Sequence, residues 1–132
     1  MKRAVLADST PLYAIADKGD GHHARALEQM QVLTCDRWEV LLAYPILLEV
    51  YTLVLSRMGR HAAGSWLSQV ESSAFINPAP GDYRRAVSQI RAFPDQSITL
   101  VDATLAALAT RLGLQVWTYD HHFDVMHVPV WR

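Results

Sequence analysis

The chain has 132 residues, of which 51% are hydrophobic and 19% charged. That is the size of one ordinary domain, with enough apolar material for a core and too little charge for a disordered polypeptide. Twelve basic residues against thirteen acidic ones leave a formal net charge of -1, so bulk charge neither announces a nucleic-acid partner nor excludes a local basic patch. The lone cysteine, Cys35, rules out an intrachain disulfide framework and a cysteine-built zinc site, and it fits a reducing cytoplasm. The segment MKRAVLADST opens on two basic residues, but its apolar run is too short for a signal peptide. No stretch approaches the roughly 20 apolar residues of a membrane helix. The expectation is a soluble cytoplasmic protein of one domain, residues 1–132, with no membrane association.

In chain order, RAVLA reads as a short strand buried on both faces, as in a parallel sheet. STPLYAIA reads as a helix with Ser9 or Thr10 as cap and Pro11 in its first turn. GHHARALEQMQVL has helical spacing at Ala26, Leu27, Met30 and Leu33. A second strand lies around Val40 to Ala43, and a helix runs from Pro45 to about Met58, stopped by Gly59. RHAAGSWLSQVE is helical, with Ala63, Trp66, Leu67 and Val70 on one face. AFINPAP holds a third strand, and GDYRRAVSQIRAF a helix with its arginines on the wet side. SITLVDATLAALATRLG is strongly helical and ends at Gly113; LQVWTYD reads as a fourth strand and VPVW as a fifth. Strands alternating with helices define an α/β fold with a parallel sheet, whose ligands bind beyond the carboxyl ends of the strands.

Four acids stand out in this frame. Asp8 ends the first strand and Asp120 the fourth, on the same edge of a parallel sheet. Glu49 interrupts the apolar helix PILLEVYTLVL, and Asp102 is the only charge in SITLVDATLAALA. Buried carboxylates are costly unless paired, hydrogen-bonded or metal-bound. Four on one edge would repel each other and take up protons, which a divalent cation with a preference for oxygen ligands relieves. Each acid also has a plainer explanation. Asp8 fits a turn or cap, Asp102 follows Thr99 at capping-box spacing, Asp120 fits a turn, and Glu49 fits the wet side of its helix. Those explanations are independent of one another and give no reason for the four to occur together.

The ordered set resembles the PIN-domain nucleases, specifically the VapC-type toxins of type II toxin–antitoxin systems. The N-terminal motif is VLADSTPLYAIADKGDGHHARA, with Asp8 as first acid, Thr10 in the small polar position, and Asp20, His23 and Ala26 in the next helix. Glu49 in ILLEVYTLV, Asp102 in SITLVDATLAALA and Asp120 in VWTYDHHFD follow in order, with Thr118 and Phe123 flanking the last acid. The Ser-Thr-Pro after Asp8 departs from the more usual pattern.

The resemblance implies a PIN-like three-layer α/β/α domain with a central parallel sheet of about four or five strands. It further implies a magnesium- or manganese-dependent endoribonuclease acting on RNA as a toxin, a cognate antitoxin partner, and a homodimer. Asp8 and Asp102 would be the principal metal ligands, with Glu49 and Asp120 completing the catalytic pocket and Thr10 and Thr118 supporting a carboxylate or a metal-bound water. Asp95 and Asp124 lie close to motif acids and form a second tier. The competing readings are a non-catalytic RNA- or protein-binding module, which typically loses an acid, and a housekeeping RNA-processing nuclease.

Other features read as structural. His22–His23 is a poor chelating pair because adjacent helical residues diverge, no His-x-x-x-His is present, and a zinc site is not expected. His121 and His122 read as solvent-facing loop residues beside Asp120. Trp117 reads as core, and Trp66 as core or a dimer contact. Arg84, Arg85 and Arg91 read as a solvated helix face.

Overall fold

A computed structural model describes residues 3–132; Lys2, one of the two basic residues noted at the N-terminus, lies outside them. The strands are β1 (Ala4–Ala7), β2 (Glu39–Ala43), β3 (Ala74–Ile76), β4 (Gln115–Trp117) and β5 (Val130–Trp131). They form one sheet in the order β3-β2-β1-β4-β5, parallel throughout. β1 occupies the centre because its residues are apolar on both faces: Val5, Leu6 and Ala7 are fully buried. Leu6 pairs with Leu41 on one side and Val116 on the other.

The helices are α1 (Ser9–Ala16), α2 (His23–Cys35), α3 (Tyr44–Met58), α4 (Arg60–Val70), α5 (Pro80–Ala92), α6 (Leu100–Leu112) and α7 (His122–Val125). They pack in two groups, α1 with α2 and α3, and α3 with α4, against α5 with α6, and α6 with α7. Right-handed crossovers explain the split. The chain steps outward from β1 through β2 to β3, then crosses back past β1 to β4 and β5, so the two series of helices fall on opposite faces. The result is the expected three-layer α/β/α arrangement, with seven helices around five strands among the described residues.

Two helix stops use positive φ. Gly59, at φ 93°, separates α3 from α4, and Gly113, at φ 67°, closes α6 with its N–H on the Ala109 and Thr110 carbonyls. Such angles favour glycine.

Several boundaries differ from the sequence reading. The cap position of α1 is Asp8 rather than Ser9 or Thr10, and no side chain makes a capping hydrogen bond there. The LQVWTYD strand ends early, at Trp117, because the Thr118 hydroxyl accepts the Asp120 N–H at 2.9 Å and turns the chain. Leu67 stays exposed while Ala63 and Trp66 are buried. The short helix α7 was not foreseen. Asp120 Oδ1 accepts the His122 N–H at 2.9 Å, an Asx turn that starts it. His122 therefore sits in a helical turn with its side chain only 15% exposed, not in a solvent-facing loop.

One buried ion pair was also missed. Asp82, fully buried, receives two hydrogen bonds from Arg111, Nε to Oδ1 at 2.9 Å and Nη2 to Oδ2 at 2.8 Å. It also accepts the Ala79 N–H. This fork joins the start of α5 to the end of α6. It holds the Asp82 carboxyl below the usual carboxylate range, mainly through the Arg111 hydrogen bonds.

Candidate active site

The strand order reverses between β1 and β4, since β1 leads to β2 on one side while β4 returns on the other. At such a switch point the crevice beyond the carboxyl ends of the strands is open to a ligand. Asp8 directly follows β1, and Thr118, Tyr119 and Asp120 directly follow β4. Glu49 comes from α3 in one helix layer, and Asp102 from the first turn of α6 in the other.

Asp8 is 1% exposed. Its Oδ2 accepts the Thr118 hydroxyl at 2.7 Å and the Thr10 hydroxyl at 3.2 Å. Thr10 Oγ1 in turn accepts the Tyr119 N–H at 3.0 Å. These bonds clamp the two strand ends together and fix one oxygen of Asp8. The other, Oδ1, is buried with no hydrogen-bond partner, as is Oε2 of Glu49. Buried polar atoms are paired in the great majority of cases, so two orphaned carboxylate oxygens, near enough for the Glu49 charge to act on Asp8, need a reason.

The Asp102 N–H donates to Thr99 Oγ1 at 3.1 Å, so Thr99 caps α6. The capping-box spacing is used in that direction, while the Asp102 carboxyl shares a hydrogen bond with Asp120. Burial pushes Asp8 up to about 6, and the charge of Glu49 adds to this against the Thr118 hydrogen bond. Burial, the charge of Asp8 and the bond shared with Asp120 raise Asp102 well above the usual carboxylate range. For Asp120 burial acts upward too. The His122 N–H, the bond with Asp102 and the nearby histidines outweigh it and hold the carboxyl low.

The structure thus brings Asp8, Glu49, Asp102, Asp120, Thr10 and Thr118 together. Asp95 lies exposed in the turn between α5 and α6. Asp124 is exposed in α7 and pairs with Arg132 at 2.9 Å. The arginine ion pairs among the described residues go to Asp82 and Asp124 rather than to the pocket. A set of hard oxygen donors, partly orphaned and charged against each other, fits a divalent cation of the magnesium or manganese kind.

Of two supporting residues, Gln29 escaped the sequence reading, and His23 stood in its N-terminal motif. Gln29 Oε1 accepts both the Trp117 indole N–H at 2.9 Å and the Tyr119 hydroxyl at 2.6 Å, which ties α2 to the segment leading into Asp120. No pattern in the sequence pairs a helical glutamine with a tryptophan 88 residues away. His23 Nδ1 lies 2.7 Å from the Ala14 carbonyl, so it joins α1 to α2. Beside Thr10 a groove of about 280 Å³ opens, lined by Ser9, Tyr13, His22, Arg57 and Tyr119 among others.

The PIN domain family model matches residues 5–128, and the chain belongs to that family. Its fold is similar to that of VapC20 from Mycobacterium tuberculosis, a sarcin–ricin loop cleaving toxin, with 20% identity, a TM-score of 0.83, and 97% and 98% of the two chains covered. VapBC2 from Rickettsia felis, solved on a DNA fragment from its promoter, matches with 12% identity and a TM-score of 0.75, covering 98% and 97%. A toxin–antitoxin complex from Klebsiella pneumoniae matches with 18% identity and a TM-score of 0.62, covering 89% and 87%. At these identities the likeness is one of fold. No curated protein sequence matches the chain.

Proposed function

We propose that the chain is a VapC-type toxin: a Mg2+- or Mn2+-dependent endoribonuclease that hydrolyses RNA phosphodiester bonds and is silenced by a cognate antitoxin protein. The observation that carries this reading is the pair of buried, unpartnered oxygens, Asp8 Oδ1 and Glu49 Oε2, at the switch point of a PIN fold. Asp8 and Asp102 are the principal ligands of the ion, and Glu49 and Asp120 complete the pocket. A divalent ion bound there supplies Lewis-acid chemistry, activating a water and offsetting charge on the phosphate.

The chain's own residues do the rest. Thr118 and Thr10 hold Asp8 Oδ2 so that Oδ1 stays open. Such support of a ligand carboxylate is worth about 10–100-fold in metal affinity. Asp102 and Asp120, bonded to each other in the free protein, would exchange that hydrogen bond for the cation. Arg57, on the groove beside Thr10, offers positive charge to an RNA backbone. Leu48, Leu55, Met58 and Leu67 are exposed on α3 and α4 and suit a homodimer face.

The test is sequencing of RNA 5′ ends after induction of the parent, Asp8→Asn and Asp102→Asn. New ends are expected with the parent alone, together with growth arrest. Equal cleavage and toxicity in the variants would sink the site assignment.

A further inference from the structure

Beside the oxygen-rich pocket, the turn after β4 carries donors of a different chemistry. Asp120 Oδ1 lies 3.2 Å from His122 Nδ1 and 3.8 Å from His121 Nδ1, and the two imidazole centroids are 4.3 Å apart. One ligand atom from each of the three residues lies within 4.8 Å of the other two. A tetrahedral zinc ion with bonds of about 2.0–2.2 Å sets its ligand atoms about 3.3–3.6 Å apart. The two histidine–carboxylate spacings bracket that range, so small side-chain rotations close the shell.

A second observation is independent of that spacing. His122 Nδ1 is buried and has no hydrogen-bond partner. It stands beside Asp120 Oδ1 without donating to it, and that oxygen instead takes the His122 main-chain N–H. A ring nitrogen and a carboxylate oxygen that face each other at ion-pair distance need a cation between them, a proton or a metal ion. His121 is 74% exposed, which leaves an open approach from solvent.

We propose that Asp120, His121 and His122 form a site for a borderline transition-metal ion of the Zn2+ class, chemically distinct from the oxygen-only set of Asp8, Glu49 and Asp102. Imidazole nitrogen favours zinc, nickel or copper, whereas carboxylate oxygen alone suits magnesium and manganese. Three protein ligands leave the fourth position to water. The site requires no RNA cleavage for its existence. Asp120 is shared with the pocket, so an ion held by the histidines draws it away from Asp102.

The test is calorimetric titration of the full chain with ZnCl2, and separately with MgCl2, for the parent, His121→Gln, His122→Gln and Asp8→Asn. X-ray absorption of the zinc-loaded parent accompanies it. One zinc per chain with imidazole scattering is expected. Changing a neighbour of a metal ligand costs about 10–100-fold in affinity, so losing a ligand should weaken zinc at least tenfold in each histidine variant. Asp8→Asn should retain zinc binding. His121 is on the surface, so its variant folds even if His122→Gln does not. Zinc affinity unchanged in both histidine variants, or lost on Asp8→Asn alone, would overturn the proposal. Zinc binding that follows the histidines in a parent that takes up no magnesium would support it while removing the oxygen-pocket reading.

Discussion

Replacing Asp8 by Asn should stabilise the metal-free protein while destroying its metal response. The Asp8 carboxyl is raised from the ordinary 3.8 to about 6, and each pH unit of such a displacement corresponds to about 1.4 kcal/mol. Keeping Asp8 ionised at about pH 7.5 therefore costs the fold about 3 kcal/mol. Asparagine is neutral and nearly isosteric, and its carbonyl still accepts the Thr118 hydroxyl that now bonds Oδ2. Its amide replaces the orphaned Oδ1 in a pocket of acids.

For an acid whose folded value is raised, the penalty is absent below the unfolded value, grows as pH rises through the interval, and is constant above the folded value. The variant should thus melt roughly 10 °C above the parent at about pH 7.5 in EDTA. The gap should shrink from about pH 6 downward and close below about pH 4. Saturating Mn2+ should reverse the order, since a ligand at about 1,000 times its Kd stabilises the parent by about 4.1 kcal/mol, more than the burial penalty, and the variant by little. Differential scanning calorimetry across pH, with and without Mn2+, reads all of this. A variant that melts at or below the parent in EDTA, or a gap that persists at low pH, would refute the reasoning.

Three further outcomes follow from the supports of the site. Thr118→Val removes the 2.7 Å hydrogen bond to Asp8 Oδ2; Mn2+ affinity should fall about 10–100-fold by calorimetry, with the fold intact by circular dichroism. Gln29→Leu orphans the buried Trp117 indole N–H and should cost about 1–3 kcal/mol in urea unfolding followed by tryptophan emission. Arg111→Ala leaves the Asp82 carboxylate buried and without its partner. The variant should melt several degrees lower, and the deficit should narrow as pH falls through the Asp82 titration, because a depressed carboxyl gives up its stabilisation on protonation.

The parts of the fold that were legible in the sequence were those set by apolar pattern. Val5, Leu6 and Ala7 form a buried strand, and the α6 stretch ends at Gly113, because period and punctuation fix such elements locally. The parts decided by single side-chain hydrogen bonds, local or across the fold, were not legible. Thr118 ends β4 early by accepting the Asp120 N–H, and Asp120 starts α7 through the His122 N–H. Both look like ordinary strand and loop residues in the sequence. The pairing of Asp82 with Arg111 spans 29 residues, and neither its burial nor its partner leaves a local trace. The four acids were visible as anomalies in apolar settings. Their mutual placement came from the strand order, which five short strands and their connecting helices do not announce.

That placement also accounts for the persistence of unfavourable charge in the pocket. Asp8 directly follows a strand paired on both sides, whose last three side chains are wholly buried. The Thr118 and Thr10 hydroxyls fasten its carboxylate to the end of the neighbouring strand. Asp102 is fixed by the capped first turn of α6, and Asp120 by the turn that opens α7. Acids on loose loops would relieve the same repulsion by moving apart, whereas these are held by the core. Their strain is released by protons or by a cation, and a pocket that cannot relax binds the cation without first having to order itself. Rigidity in the apolar centre of the sheet is therefore the source of the affinity proposed for its carboxyl edge.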